Sequence, residues 1–195
     1  MIPLIPAKDR PDLGLKERLE DIGRMPDDSV ILVITSAFDY FSVYVSIMKY
    51  LLNDLNYSGI CVTINRSVMG LDIALKNNAI KTENLYYIDC ISRTSSIEES
   101  TKSCEYIDSP SNLVGISIGI DDCLKKIKSK KIFLVFDSIS TLLIYNKLDS
   151  VLQFSNHLIN KLRKDKIKGI IMAIEEGNPE LVNQIVQFCD KAIRI

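Results

Sequence analysis

The chain has 195 residues, of which 47% are hydrophobic and 25% charged, with a formal net charge of -1 and an isoelectric point near 5.9. That length suits one packed domain burying roughly 70% of its unfolded surface, and the composition excludes global disorder and any need for covalent staples. A charge so close to zero supplies no global field to gather nucleic acid or anionic lipid.

The five cysteines are Cys61, Cys90, Cys104, Cys123 and Cys189. They form no C-x-x-C pair and are odd in number, so they read as reduced, mostly buried thiols of a cytoplasmic protein rather than zinc ligands or disulfides. Pro3, Pro6, Lys8, Asp9 and Arg10 stand where a secretory segment would need apolar residues. No apolar run approaches the roughly 18 residues of a spanning helix, so no membrane is expected among the partners.

Residues 1–12 read as an extended N-terminal arm, and residues 13–195 as a single domain. A short helix is predicted over 15–22, broken at Pro26-Asp27-Asp28. Residues 30–34 are five apolar residues in a row, the signature of a strand buried on both faces. Phe41, Tyr44, Val45, Met48, Leu51, Leu52 and Leu55 then repeat at threes and fours as one helical stripe, ended by Asn56-Tyr57-Ser58-Gly59. Further strands are predicted over 60–64, 85–88, 132–136 and 170–174, with short ones over 104–107 and 192–195. Helices fall between them over 68–75, from Pro110-Ser111-Asn112 onward, over 148–162, and after Asn178-Pro179-Glu180, where Asn suits the N-cap and Pro the first turn. Residues 92–110 are rich in Ser, Thr and Glu and read as a long loop. Strand alternating with helix means βαβ units, hence an α/β fold: a three-layer α/β/α domain around a mainly parallel sheet.

Ligands of such sheets sit beyond the carboxyl ends of the strands, which directs attention to residues 35–42, 65–66, 89–92, 137–141 and 175–178. The segment Lys131-Ile132-Phe133-Leu134-Val135-Phe136-Asp137-Ser138-Ile139-Ser140 resembles the Walker B strand of KaiC-like members of the RecA-type P-loop ATPase superfamily, particularly archaeal ones. Leu85-Tyr86-Tyr87-Ile88-Asp89-Cys90 and the closing Phe188-Cys189-Asp190-Lys191-Ala192-Ile193-Arg194-Ile195 also resemble that branch, and the resemblance runs over residues 28–195. It implies a RecA-like fold, oligomers with nucleotide at subunit interfaces, roles such as signal transduction, and Mg²⁺ held through water by Asp137. Read from the residue alone, Asp137 is a strand-end carboxylate capping the next turn.

The same resemblance fails at the phosphate-binding loop. A P-loop reads G-x-x-x-x-G-K-[ST], with glycines that let backbone N–H groups wrap the phosphates and a lysine that neutralises them. Here the eight residues are Thr35-Ser36-Ala37-Phe38-Asp39-Tyr40-Phe41-Ser42, with Thr35 and Tyr40 for the glycines and Phe41 for the lysine. Asp39 adds a carboxylate whose repulsion at about 4 Å costs on the order of 1–4 kcal/mol. Asn65-Arg66 stand where the resemblance places an acidic, water-activating residue, and neither is a base. What would remain of a nucleotide site is Ser36, Asp39, Ser42, Asp137 and Ser138. No ATPase activity, catalytic residue or cofactor is therefore expected, and binding of ATP with Mg²⁺ is disfavoured.

Other candidates are weaker. Glu175 and Glu176 are adjacent and point to opposite faces of a strand, so they do not converge. His157 has no partner at catalytic spacing. Phe38, Tyr40, Phe41 and Tyr44 read either as a stacking platform or as packing that plugs the vacated pocket. Two basic runs, Lys125, Lys126, Lys128, Lys130, Lys131 and Lys161, Arg163, Lys164, Lys166, Lys168, read as solvated helix ends; a nucleic-acid patch is the sharper alternative. The functional expectation is a non-catalytic regulatory or assembly module whose partners are proteins, itself or an active ATPase of this type. An atypical nucleotide binder without a P-loop lysine ranks second, and a nucleic-acid binder third.

Overall fold

The computed structural model describes residues 13–95 and 103–195; the arm over 1–12 and residues 96–102 of the long loop lie outside them. In chain order the elements are α1 (Leu13–Arg24), β1 (Val30–Thr35), α2 (Tyr40–Lys49), β2 (Ser58–Thr63), α3 (Val68–Asn77), β3 (Leu85–Asp89), β4 (Cys104–Tyr106), α4 (Leu113–Lys126), β5 (Ile132–Asp137), α5 (Leu148–Lys164), β6 (Lys168–Ile174), α6 (Pro179–Phe188) and β7 (Lys191–Arg194). One seven-stranded sheet runs β4-β3-β2-β5-β6-β1-β7, with every pair parallel. β6 thus stands between β1 and β5, with Val30 opposite Gly169 and Thr35 opposite Ile174.

The strands are apolar throughout because both faces are covered. On one face Leu32, Ile34, Val62, Leu134 and Phe136 pack against Ile116 and Ile120 of α4, Leu158 of α5 and Ile185 of α6. On the other face Ile31, Val33, Cys61, Val135 and Met172 pack against Ile22 of α1, Tyr44 and Met48 of α2, and Leu71 and Leu75 of α3. This is the three-layer α/β/α arrangement expected from the alternation of elements.

The helix starts follow local chemistry. Asn112 Oδ1 accepts from Gly115 N at 2.8 Å, and Asn178 Oδ1 accepts from Leu181 N at 3.0 Å with Pro179 in the first turn. The end of α2 and the start of β2 differ from the sequence reading. After α2 the chain continues as a π-turn over Tyr50–Asp54 and reverses at Asn56, whose φ is 54°. Ser58 and Gly59 therefore belong to β2 rather than to the turn. Gly59 is opposite Phe133 on one side and Leu85 on the other, and both side chains lean across it: a Cβ there would lie 2.4 Å from the Phe133 ring and 2.8 Å from Leu85. Gly59→Ala is expected to cost about 1–3 kcal/mol by overpacking, measured by chemical denaturation.

Candidate functional site

Period-two alternation places a row of polar residues at the carboxyl ends of four strands. Thr35, Thr63, Asp89 and Asp137 each follow by two residues an apolar residue facing α1–α3: Val33, Cys61, Tyr87 and Val135. All four are at most 2% exposed. Thr63 lies opposite both Asp89 and Asp137, so the row is continuous across β3, β2 and β5. Buried polar groups of this kind require partners.

Asp137 finds its partners in the segment that would have to admit phosphate. The Tyr40 hydroxyl, at the first position of α2, donates to Asp137 Oδ1, and Asn65 Nδ2 donates to the same oxygen at 3.1 Å. Thr141 Oγ1 donates in turn to Asn65 Oδ1 at 2.9 Å. Burial pushes the Asp137 carboxyl above the usual carboxylate range, partly offset by the Tyr40 and Asn65 hydrogen bonds and the Arg66 charge. The carboxylate bonds across to α2 and the β2–α3 loop; it does not cap the turn that follows it. The Asp137–Ser138 peptide is cis, and the buried Ser138 hydroxyl lies beside Tyr40 without a well-formed hydrogen bond. Thr35 Oγ1 is likewise buried without a partner.

The β1–α2 loop spends its donors on carboxylates and carbonyls of the protein itself. Ser36 Oγ donates to Asp39 Oδ2 at 2.9 Å and accepts from Asp39 N at 3.0 Å. Ala37 N donates to Glu176 Oε2 at 2.9 Å, so a carboxylate from the β6–α6 turn occupies the amide where an incoming anion would bind. Ser42 Oγ donates back to Asp39 O at 2.8 Å. Phe41 stacks on Tyr44 with ring centroids 6.3 Å apart, and the Arg66 guanidinium lies 4.1 Å from the Phe41 centroid. The sequence-derived residues Ser36, Asp39, Ser42, Asp137 and Ser138 thus all sit at one end of the sheet, but Tyr40, Asn65, Thr141 and Glu176 are the side chains that occupy it. Of these, Tyr40 and Glu176 were legible only as a misplaced aromatic and a strand-end acid, and Thr141 only as the last residue of the strand-end segment 137–141, with nothing to signal its bond to Asn65.

Other expectations need correction. Phe38 does not plug anything: it is 83% exposed at the tip of the loop. Lys168 is no solvated helix end: it opens β6 and is 0% exposed, its Nζ donating to Ile22 O and Met25 O. Four other residues of the basic runs form ion pairs within the chain. Lys125 binds Asp122, Lys126 binds Glu105, Lys161 binds Asp121 and Asp165, and Arg163 binds Asp190. Glu175 pairs with Arg194 and so diverges from Glu176, and His157 is exposed on α5. The five cysteines are free, and burial pushes the thiols of Cys90, Cys104, Cys123 and Cys189 up to about 12. Among the described residues no group of His, Cys, Asp and Glu has metal-site geometry, and no helix is long and apolar enough to cross a membrane.

This architecture is similar to two solved structures from Pyrococcus horikoshii. One is a KaiC-like protein of the hyperthermophilic strain OT3, 13% identical, with a TM-score of 0.62 over 87% of this chain and 72% of that one. The other is an uncharacterized protein in complex with an unknown peptide, 13% identical, with a TM-score of 0.69 over 92% of this chain and 82% of that one. The fold is therefore the KaiC-like, RecA-type α/β domain. Residues 48–195 match DUF7504, a family of unknown function, and the chain belongs to that family. A protein of Clostridium perfringens (strain 13 / Type A) described as "Probable cytosol aminopeptidase" is 29% identical over 73 residues, which is 36% of this chain but only 15% of that protein's length.

Proposed function

We propose that this domain is a non-catalytic RecA-type module that works by binding proteins, either copies of itself or an active ATPase of the same fold. The observation that carries the reading is the Tyr40–Asp137 hydrogen bond. The acidic residue available for a metal is buried against a tyrosine from the very loop that would cradle phosphate. Glu176 and Asp39 place two more carboxylates at that loop, and no lysine faces them from Thr35–Ser42. Phosphoryl transfer needs clustered positive charge and metal at this position, and here Arg66, stacked on Phe41, stands against the carboxylates of Asp39, Asp137 and Glu176. The peptide in one of the fold neighbours is in keeping with a peptide or protein as partner.

Thermal unfolding with Mg²⁺ and millimolar ATP, ADP, GTP or AMP tests the reading. No change in Tm is expected with any of them. A ligand at 100 times its Kd adds about 2.7 kcal/mol, a rise of roughly 5–10 °C for a domain of this size, and such a rise would overturn the proposal. It would favour a second reading, a nucleotide held without a P-loop lysine. The specific observation on that side is the Thr35 hydroxyl, buried and unpartnered at the end of β1. Light scattering of the chain alone and mixed with an active RecA-type ATPase then tests assembly, and monomers in both would remove the support for a binding module.

A further inference from the structure

A lysine buried to 0% exposure is rare, and nothing in the site uses Lys168. Its position answers a need created by Pro26. In α1 the carbonyl of Ile22 would ordinarily accept from the N–H four residues on, but that residue is Pro26, which has none. Lys168, arriving from the first position of β6, supplies the missing donor: its Nζ lies 3.1 Å from Ile22 O and 2.6 Å from Met25 O. Around the ammonium stand the Tyr57 ring, with Nζ 5.8 Å from its centroid, and Asp27 Oδ1 at 4.0 Å, whose carboxylate also accepts from the Tyr57 hydroxyl. Lys131 adds a like charge nearby, and burial is the main cause holding the Lys168 amine below the usual lysine range. An amine in either charge state still donates to both carbonyls, so hydrogen bonding rather than charge makes the connection.

Apart from this latch, α1 is held by few side chains, with Leu19 only partly buried against the face that receives Ile22. Ile22 is the one fully buried side chain among the described ones of this helix. Gly23 packs closely against Tyr50, and Asp21 pairs with Lys191 of β7 at 2.8 Å across a half-exposed contact. The helix adds no strand and no ladder hydrogen bond to the sheet.

We infer that α1 is a strap latched to the foot of the sheet by Lys168, able to open as a unit while the seven strands stay paired. Opening uncovers the apolar seat of Ile22. The device is independent of the binding role proposed above.

Hydrogen exchange with mass spectrometry on Lys168→Met tests it. Methionine keeps the volume and removes both donated bonds. Amides of α1 are expected to exchange at least tenfold faster than in the unaltered chain, with those of β1, β5 and β6 unchanged. Unchanged rates in α1, or equal acceleration in α1 and the strands, would overturn the strap. If the variant does not fold, the unaltered chain decides: α1 amides exchanging at least 100-fold faster than those of β1 support the inference, and equal protection of the two refutes it.

Discussion

Replacing Asp89 with alanine is expected to destabilise the chain by on the order of 3–5 kcal/mol, a fall in Tm of roughly 6–20 °C. Asp89 ends β3 at a position where an acid in such a sheet invites a catalytic reading, yet its carboxylate is wholly engaged. Oδ2 accepts from Val68 N at 2.7 Å and from Ser92 Oγ at 2.6 Å, while Oδ1 accepts from Ile91 N and Ser92 N, both at 2.8 Å. One side chain therefore ties the start of α3 to the loop after β3. Alanine leaves three backbone N–H groups without their acceptor, in a place that is 0% exposed. Asn, which keeps one acceptor oxygen but turns an NH₂ toward donors, should fall between the two. Chemical denaturation of both variants measures the effect, and a loss below about 1 kcal/mol in the alanine variant would mean water satisfies those groups as well as the carboxylate does.

The layers of this fold were legible because their signal is repetitive. Continuous apolar runs such as 30–34 and 132–136 can be buried on both faces only in a covered parallel sheet, and the stripes of Phe41–Leu55 and residues 148–162 repeat often enough to fix their faces. The boundaries failed where a single long-range contact overrode local chemistry. Gly59 reads as a turn residue, but the space beside it belongs to Phe133 and Leu85, which are distant in sequence. Lys168 reads as part of a basic run, and only the carbonyls that Pro26 leaves unmatched explain its burial. At the candidate site the departures from a phosphate loop were visible as missing glycines and a missing lysine. What took their place was not visible, because the Tyr40–Asp137, Asn65–Thr141 and Ala37–Glu176 contacts join residues 76 to 139 positions apart.

Tyr40→Phe and Asp137→Asn together ask whether the end of the sheet is built to be filled or to be used. Phenylalanine keeps the ring and removes the hydroxyl that donates to a buried carboxylate, so a loss of about 1.5–3 kcal/mol is expected at pH 8, roughly 3–12 °C in Tm. Asparagine at 137 keeps an oxygen able to accept from Tyr40 and Asn65 while removing the buried charge. The sign of its effect follows from the raised Asp137 value, whose main cause is burial. A carboxyl that holds its proton more tightly folded than unfolded adds stability below its unfolded value, near 3.9, and loses that contribution as the pH climbs through the folded value. Above that window the native state carries a costly charge, so Asp137→Asn should raise Tm at pH 8 and gain progressively less as the pH falls toward 4. In the asparagine background Tyr40→Phe should cost only about 0.5–1.5 kcal/mol, since a neutral acceptor is then lost rather than an ionised one. Thermal unfolding of the four chains between pH 4 and pH 8 completes the cycle. An Asp137→Asn variant less stable than the parent at every pH would mean the charge at 137 is stabilised by more than Tyr40, Asn65 and Arg66 supply, and a site kept for a cation would then explain the residue better than a site filled by the protein itself.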